Sequence, residues 1–280
     1  MPIPFLKIEG LGNDYIFIDR RSLKGVRKSA PALARAISNR RTGVGSDGLI
    51  VMDKINSEQA TMTVYNSDGS EAKFCGNGLR GTVLYLRSAY KARGKEFYIK
   101  TRWNDYKVRL VKSNRDTAMV EADLGSPSFD SRIIGITGDP QNCLGLEFKA
   151  AGRGFLLYCV AMPNPHAVIL IDTFDFDWQK AGAEIEKSSL FRNGVNVMFA
   201  KIETRNRIAV TPWERGSGAT MACGSGAAAA AVVTGLLGLT RCDVKVIMPG
   251  GSLRCRWDVA TNQVYQVGPT RIAFSGSYTP

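Results

Sequence analysis

Apolar residues recur along the chain with two different spacings, and each spacing predicts a different kind of element. Short runs of Val, Ile, Leu and Phe bounded by Gly, Pro, Asn and Asp are typical of β-strands. Longer segments with apolar residues three and four positions apart predict helices. Strands are predicted at 3–9, 15–19, 49–52, 61–65, 97–101, 106–111, 118–122, 146–149, 155–160, 167–171, 194–199, 207–211, 244–248, 253–257, 264–267 and 271–274.

Four helices are predicted between these strands. The first begins after Ser29, a residue type that caps helices, and has Pro31 in its first turn. The others are predicted at 78–90, 175–187 and 227–237. The last of them is nearly all apolar, which is typical of a helix that is buried on every side.

Two stretches of the chain resemble each other. They run over 63–78 and 211–226, and each ends in Cys-Gly-x-Gly at the start of an apolar helix. Cys223 follows Cys75 by 148 positions, and the flanking Thr and Gly residues keep the same offset. A repeat of this kind predicts a duplicated fold of two domains, with the turn at 125–128 as the boundary.

Composition and charge narrow the class of protein. The chain has 280 residues, of which 44% are hydrophobic, so each half can bury a core. The net charge of +12 suggests nucleic acid as a binding partner. The basic residues, however, are dispersed along the chain and lack interleaved aromatic residues, so a solvated basic surface is expected instead. No apolar run is long enough for a membrane span and the start does not resemble a signal peptide, so a cytoplasmic protein is expected.

The cysteines carry the candidate chemistry. None of the six forms a Cys-x-x-Cys motif and His166 is the only histidine, so neither a metal site nor a disulfide framework is expected. A cysteine at a helix start lies among unpaired amides, which should lower its pKa and favour the thiolate. The remaining four, Cys143, Cys159, Cys242 and Cys255, are interpreted as inert structural residues.

Two glycine-rich helix starts with a sulfur each suit the removal of a proton next to a carboxylate. The amides would stabilise negative charge as it spreads onto the carboxylate oxygens. One thiolate would take the α-proton and the other thiol would deliver a proton to the opposite face, which inverts the carbon without a cofactor. The alternative is a redox pair that cycles to a disulfide, which leaves the two anion-binding turns unexplained.

The chain resembles the diaminopimelate epimerases, a family of amino-acid epimerases that do not use pyridoxal phosphate. The matching segments occur in family order and span almost the whole chain. They are 10–15, 43–48, 66–72, 75–80, 164–166, 194–197, 213–216, 222–226 and 249–251.

The resemblance implies an α/β (α+β) fold of two pseudo-symmetric domains, each a curled, mostly antiparallel sheet around a central helix, with the active site in the cleft between them. The expected domains are 1–124 with 270–280, and 125–269. Cys75 and Cys223 would be the acid and base, assisted by His166 and Glu214. Substrate contacts are expected from Asn13, Asn66, Asn164, Asn196 and Arg215, and from the backbone of Gly76, Asn77, Gly78, Gly224, Ser225 and Gly226.

The implied reaction interconverts LL- and meso-diaminopimelate, a small-molecule amino acid, in lysine and peptidoglycan synthesis. No cofactor is implied, and a homodimer is possible because homodimers occur in the family. Glu9 replaces a family His and Pro163 replaces a family Gly, and Lys73-Phe74 before the first cysteine is unusual. A racemase of another amino acid, or a redox or binding protein with a thiol pair, are the alternatives.

Overall fold

The chain folds into two units that repeat one order of elements. The computed structural model describes residues 2–138 and 142–280. One unit comprises Met1–Ala122 with Val267–Pro280, and the other comprises Asp123–Gln266. Both units contain two antiparallel strands, a helix and two further antiparallel strands, followed by a helix that is capped by a cysteine. The second unit adds a short helix and a strand at its start and a two-residue strand before its capped helix. The expected two-domain α+β fold is confirmed, and the mostly antiparallel sheets also contain parallel pairings.

The strands and helices of the described residues are as follows. The strands are β1 Ile3–Gly10, β2 Asn13–Asp19, β3 Gly48–Asp53, β4 Gln59–Asn66, β5 Glu96–Lys100, β6 Asp105–Ser113, β7 Thr117–Asp123, β8 Leu144–Ala150, β9 Arg153–Ala161, β10 Pro165–Leu170, β11 Asn196–Thr204, β12 Arg207–Glu214, β13 Gly218–Ala219, β14 Asp243–Met248, β15 Gly251–Asp258 and β16 Gln263–Tyr278. The helices are α1 Ala30–Ser38, α2 Gly76–Tyr90, α3 Ser131–Ile134, α4 Trp178–Glu186 and α5 Gly224–Leu236.

The sheet of the first unit closes on itself around a helix. Its strands follow the order β1 to β7 and then β16, and β16 also pairs with β1 in antiparallel register. Helix α2 packs against β1, β2, β5 and β6. Leu79, Val83 and Leu86 are fully buried on this helix, because a strand lies on several sides of it.

The sheet of the second unit surrounds a more apolar helix. Its strands follow the order β15, β14, β12, β11, β10, β9 and β8, and α5 packs against all of them except β8. Ala227, Ala228, Ala229 and Ala230 are fully buried, so the prediction of a helix buried on every side is confirmed. None of the helices in residues 2–138 and 142–280 is long and apolar enough to cross a membrane.

The main differences from the predicted elements lie where tertiary contacts override a local signal. Two short strands were predicted around Pro269, but β16 is one strand of sixteen residues. Its second half is held by pairing with β1, from Ile3 opposite Tyr278 to Glu9 opposite Arg271. Helices α2 and α5 begin earlier than predicted, because Cys75 and Cys223 are their N-caps. The short helix α3 was not predicted.

Replacing two helical glycines by alanine is expected to change the stability of the fold in opposite directions. A Cβ at Gly81 would lie 2.5 Å from Cζ of Phe17, a buried ring that stacks on Tyr85. Gly81→Ala is therefore expected to lower the free energy of unfolding by about 1–3 kcal/mol, because the ring has no room to move. In Gly235→Ala the nearest atom is Sγ of Cys242 at 3.5 Å, so the better helix propensity of Ala should raise the stability by up to about 1 kcal/mol.

Urea denaturation of both variants beside the wild type measures these changes. Equal midpoints for Gly81→Ala and Gly235→Ala would contradict the packing argument.

Candidate active site

In the first unit, Cys75 caps the central helix with its own sulfur. Its backbone is extended, with φ −148° and ψ 97°, and Sγ accepts a hydrogen bond from the amide of Gly78 at 3.2 Å. A Cβ at Gly78 would lie 2.9 Å from Cδ1 of Ile50 and 3.2 Å from the sulfur, so a side chain does not fit there. The second glycine of the motif therefore brings the helix amide close to the thiol.

The Asn77 side chain connects this motif to the turn that bears Asn13. Nδ2 of Asn77 donates to the backbone carbonyl of Asn13 at 2.6 Å and to its side-chain Oδ1 at 3.3 Å. Nδ2 of Asn13 in turn donates to Asp47 at 2.8 Å. The structure thus brings Asn13, Asn77 and Cys75 together, with Asp47 as a support.

An ion network holds the same turn from behind. Asp14 lies 2.7 Å from both Lys7 and Arg40, and Arg40 also reaches Asp47 at 2.8 Å. Burial by itself raises the pKa of Asp14, but hydrogen bonds from Arg40 and Lys7 outweigh burial and the pKa lies below its ordinary value. Asp14 is therefore ionised at neutral pH, and its charge fixes the strand end next to Asn13.

Asn66 closes the turn that leads towards Cys75. It pairs with Gly48 at the end of β4, and its Nδ2 donates to the hydroxyl of Ser70 at 2.9 Å. The same hydroxyl donates to Asp68 at 2.6 Å. The structure thus gives Asn66 a role in the turn, and its contact with a substrate stays a prediction.

In the second unit, Cys223 caps α5 and is almost fully buried. It is 4% exposed, and its Sγ lies 3.7 Å from the hydroxyl of Ser225. A Cβ at Gly226 would lie 2.2 Å from Sδ of Met198, so this position also has no room for a side chain. The two Cys-Gly-x-Gly motifs therefore build the same helix start in both units.

The electrostatic surroundings of Cys223 hold it as a neutral thiol. Burial raises its pKa well above the ordinary value, and the charge and hydrogen bond of Glu214 raise it further. The amide of Gly226 and the hydroxyl of Ser225 act in the opposite direction but do not prevail. The expectation that a helix start lowers the pKa is wrong for Cys223, because burial and a neighbouring carboxylate outweigh the helix dipole.

Glu214 is fixed for this contact by the strand that carries it. It ends β12, and the hydroxyl of Thr220 donates to its Oε1 at 2.6 Å. The carboxylate is half-buried, so it retains some access to solvent. The Thr220 hydroxyl thus holds the carboxylate of Glu214 in place, close enough to the Cys223 thiol to affect its pKa.

His166 is a fully buried, neutral imidazole. Nε2 donates to Oδ1 of Asn164 at 3.0 Å, and Nδ1 has no hydrogen-bond partner among the described residues. Burial, followed by the positive charge of Arg215, lowers the pKa of His166 to about 3. A buried polar nitrogen without a hydrogen-bond partner is uncommon in folded proteins. Such an atom is typical of a site that binds a ligand or takes part in a reaction.

Asn196 links His166 to the loop that bears Arg215. It pairs with His166 between β10 and β11, its Nδ2 donates to the carbonyl of Pro165 at 2.9 Å, and its Oδ1 accepts from the Arg215 amide at 3.1 Å. The Arg215 guanidinium donates to the carbonyl of Asn193 at 3.1 Å. The buried Asn196 amide is thus satisfied by protein groups, and its predicted contact with a substrate stays a prediction.

Sequence reasoning missed three residues that support these groups. Glu186 accepts from the indole of Trp213 at 2.8 Å and from the amide of Gly216 at 2.9 Å, so it anchors the loop of Arg215. Gln266 is fully buried and donates to the carbonyl of Gly224 at 2.6 Å. Asp47 stood in a segment of the family resemblance, whereas Glu186 and Gln266 carry no local signal.

The buried His166 predicts a dependence of stability on pH. Its folded pKa of about 3 lies below its ordinary value of 6.5, so between these values the unfolded chain binds a proton that the folded chain does not. Stability is therefore lost as pH falls from about 6.5 towards 3. His166→Gln removes this contribution, so its free energy of unfolding should fall less steeply with decreasing pH than that of the wild type, by about 1.4 kcal/mol per pH unit. Urea unfolding between pH 4 and 6.5 measures both slopes.

Because the chain has no other histidine, the difference between the two pH profiles isolates this residue. Parallel profiles for the wild type and His166→Gln would contradict the lowered pKa of His166 in the folded state.

The fold is shared with solved structures of low sequence identity. The phenazine biosynthesis protein of the PhzF family from Bacillus anthracis superposes with a TM-score of 0.68 at 12% identity, and the superposition covers 100% of both chains. A hydroxyproline epimerase from Agrobacterium vitis, with bound trans-4-hydroxy-L-proline, superposes with a TM-score of 0.65 at 11% identity and covers 99% of this chain and 90% of that chain. At these identities the likeness concerns the fold alone.

Sequence relatives are closer and cover nearly the whole chain. The family model described as diaminopimelate epimerase matches residues 5–129 and 158–273. The diaminopimelate epimerase of Carboxydothermus hydrogenoformans is 37% identical over 276 residues, and that of Moorella thermoacetica is 36% identical over 277 residues, with 98% of both chains covered in each case. The chain therefore belongs to the diaminopimelate epimerase family and is an isomerase.

Proposed function

We propose that this epimerase interconverts LL- and meso-diaminopimelate without a cofactor, with Cys75 and Cys223 as the acid–base pair. The observation that carries the proposal is the matched position of the two thiols, each at the N-cap of a buried helix in a chain of this family. The product and substrate would belong to the synthesis of lysine and of peptidoglycan precursors.

The difficult step is the removal of a weakly acidic proton from the α-carbon. The carbanion becomes accessible when its charge spreads onto the adjacent carboxylate and is stabilised there. First-turn amides of α2 and α5 have no partners within their helices, and the helix dipole adds positive potential. The backbone of Gly76, Asn77, Gly224 and Ser225 is therefore suited to bind that carboxylate.

The two thiols divide the proton transfers in a way that fits their surroundings. In one direction the Cys75 thiolate takes the α-proton, and the Cys223 thiol gives its proton to the opposite face of the carbanion. In the reverse direction Glu214 accepts the Cys223 proton, so that this sulfur becomes the base. The effect of the Glu214 carboxylate, which raises the pKa of the Cys223 thiol, supports this assignment.

Neutral and charged groups near the thiols are suited to the rest of an amino-acid substrate. Arg215 would bind the distal carboxylate, and Asn13, Asn66, Asn164 and Asn196 would orient the polar groups around it. His166 would assist the proton transfers, since its Nδ1 is buried without a partner among the described residues. The exposed Pro163 next to Asn164 is the reason to include other amino acids in the test.

The test is an incubation of the reduced protein with LL-diaminopimelate in heavy water. We expect deuterium at the α-carbon and formation of the meso isomer, followed by proton NMR and chiral chromatography. Cys75→Ala and Cys223→Ala should each lower kcat by at least about 10²–10⁴-fold, because each removes one of the two proton carriers. Cys242→Ala is the matched control, since Cys242 is a half-buried thiol outside both motifs, and it should turn over as the wild type does.

The alternatives have their own outcomes in the same experiment. Deuterium exchange into proline or another amino acid, with none into diaminopimelate, would indicate a racemase of different specificity. No exchange into any amino acid would indicate a redox or binding protein with a thiol pair instead of an epimerase. Turnover at the wild-type rate in either cysteine variant would contradict the two-thiol mechanism while leaving the substrate assignment in place.

A further inference from the structure

Two cysteines outside the Cys-Gly-x-Gly motifs lie opposite each other in the second unit. Strands β8 and β9 pair in antiparallel register with Leu144 opposite Tyr158, so the preceding residue, Cys143, is opposite Cys159. The amide of Cys159 donates to the carbonyl of Cys143 at 2.7 Å, so the pairing extends to these two residues. Residues directly opposite in antiparallel strands carry their side chains on the same face. The two thiols are therefore cross-strand neighbours.

Both side chains face the apolar core of this unit. Cys143 is 4% exposed and Cys159 is fully buried, and both belong to one apolar cluster together with Ile136 and Phe191. On the other side of β9, Cys159 pairs with Ala167, whose side chain is a single methyl group. Both cysteines are thiols in the structure, and the proposed reaction gives neither of them a role.

The spacing of this pair suits a disulfide. The Cα atoms of a hydrogen-bonded pair in antiparallel strands are about 5.5 Å apart. Disulfides join residues whose Cα atoms are about 4.4–6.8 Å apart. The two sulfurs can therefore form a bond by rotation about their own side-chain torsions, with little movement of the strands.

A second pair of cysteines in the same unit lacks this placement. In strands β14 and β15, Cys255 is opposite Val244, and the amide of Trp257 donates to the carbonyl of Cys242 at 2.7 Å. Cys242 and Cys255 are therefore diagonal neighbours rather than direct ones. Diagonal positions are about 7–8 Å apart, which exceeds the reach of a disulfide. The two hairpins thus supply one pair of thiols within bonding reach and one matched pair beyond it.

The edge of the sheet gives solvent a route to the buried pair. Strand β8 is the last in the strand order and pairs with β9. Its register shifts between Leu144 and Leu146, where Gly145 has a φ of 81°. Such a shift leaves a residue unpaired and weakens the ladder, and weakly paired segments open locally more readily than a core does. Opening of this strand end would expose Cys143 first.

We propose that Cys143 and Cys159 are an oxidation site, at which the two thiols form a reversible disulfide by exchange with a low-molecular-weight disulfide. The Cys143 thiol loses its proton to solvent, and its sulfur attacks the oxidant and displaces one half as a thiolate. Cys159 then loses its proton, attacks the Cys143 sulfur and displaces the second half. Two protein thiols become one disulfide, and the oxidant takes up two electrons and two protons and becomes two thiols.

The second exchange should be slow. Burial, followed by the charge of Cys143, raises the pKa of Cys159 to about 12, so its thiolate is scarce in the folded chain. The oxidation is therefore expected over hours, within the ordinary range for thiol–disulfide exchange. It does not depend on the proposed function, because neither sulfur belongs to a Cys-Gly-x-Gly motif.

The test maps disulfides after incubation of the reduced, folded protein in mixtures of reduced and oxidised glutathione. The reaction is stopped with acid, remaining thiols are alkylated, and the chain is digested with trypsin for mass spectrometry. Cleavage after Lys149 and Arg153 places the two cysteines in separate peptides, 133–149 and 154–180. We expect these peptides to be joined, two hydrogens lighter than their sum, and to separate after treatment with dithiothreitol.

The diagonal pair and one variant serve as matched controls. Cys242 and Cys255 lie in the tryptic peptides 242–245 and 255–256, which should stay unjoined in the same digest. Cys143→Ser should lose the joined peptide. Oxidation should also raise the urea midpoint of the wild type, because a cross-link restricts the unfolded chain, and this rise should be absent in Cys143→Ser.

The wild-type peptide map decides the matter even if Cys143→Ser does not fold. The proposal is overturned by the absence of the joined peptide at every glutathione ratio, by glutathione on Cys143 alone, or by joining only in urea. Equal joining of Cys242 to Cys255 would also overturn it, since the bond would then not depend on strand register. Because the map needs no turnover, a protein inactive on diaminopimelate that forms the joined peptide would contradict the proposed function alone.

Discussion

Each unit depends on one constraint, which is that a helix starting inside a curled sheet needs partners for its first amides. A cysteine is the N-cap at both helix starts, and in α2 its sulfur accepts directly from the amide of Gly78. The glycine three positions after each cysteine has no room for a Cβ. Cap, glycine and buried helix therefore form one arrangement, and the cysteine sulfur occupies the place that the side chain of Ser or Asp holds at the start of ordinary helices.

The same helix start has different chemistry in the two units because its neighbours differ. The strand that leads to Cys75 ends in the neutral Asn66, whereas the strand that leads to Cys223 ends in the carboxylate of Glu214. Burial and that carboxylate raise the pKa of Cys223, while the sulfur of Cys75 accepts a hydrogen bond from the amide of Gly78. The proposed two-thiol reaction requires such a difference, since one sulfur must begin as base and the other as acid.

Supporting polar groups extend from both motifs into the sheets. Asp47 holds Asn13, Glu186 holds the loop of Arg215, and Gln266 holds the carbonyl of Gly224. Each is bonded to a residue distant in the chain, so each links the turn it supports to a separate strand or helix. Groups bound in this way lose little freedom on binding a ligand, which favours a preorganised site.

The sequence by itself was sufficient to predict the duplicated fold, the types of its elements and the position of two cysteines at helix starts. Alternating apolar runs and the Cys-Gly-x-Gly repeat are local patterns, so they can be recognised without coordinates. Its family resemblance also indicated the correct fold and isomerase class. The tertiary structure decided the features that depend on contacts between residues distant in the chain. Burial and Glu214 reversed the expected pKa shift of Cys223, pairing with β1 made β16 one strand, and the carboxylate of Glu186 anchored the loop of Arg215 thirty positions away. Each of these outcomes depends on which distant groups become neighbours, and desolvation and hydrogen bonding act only once they do.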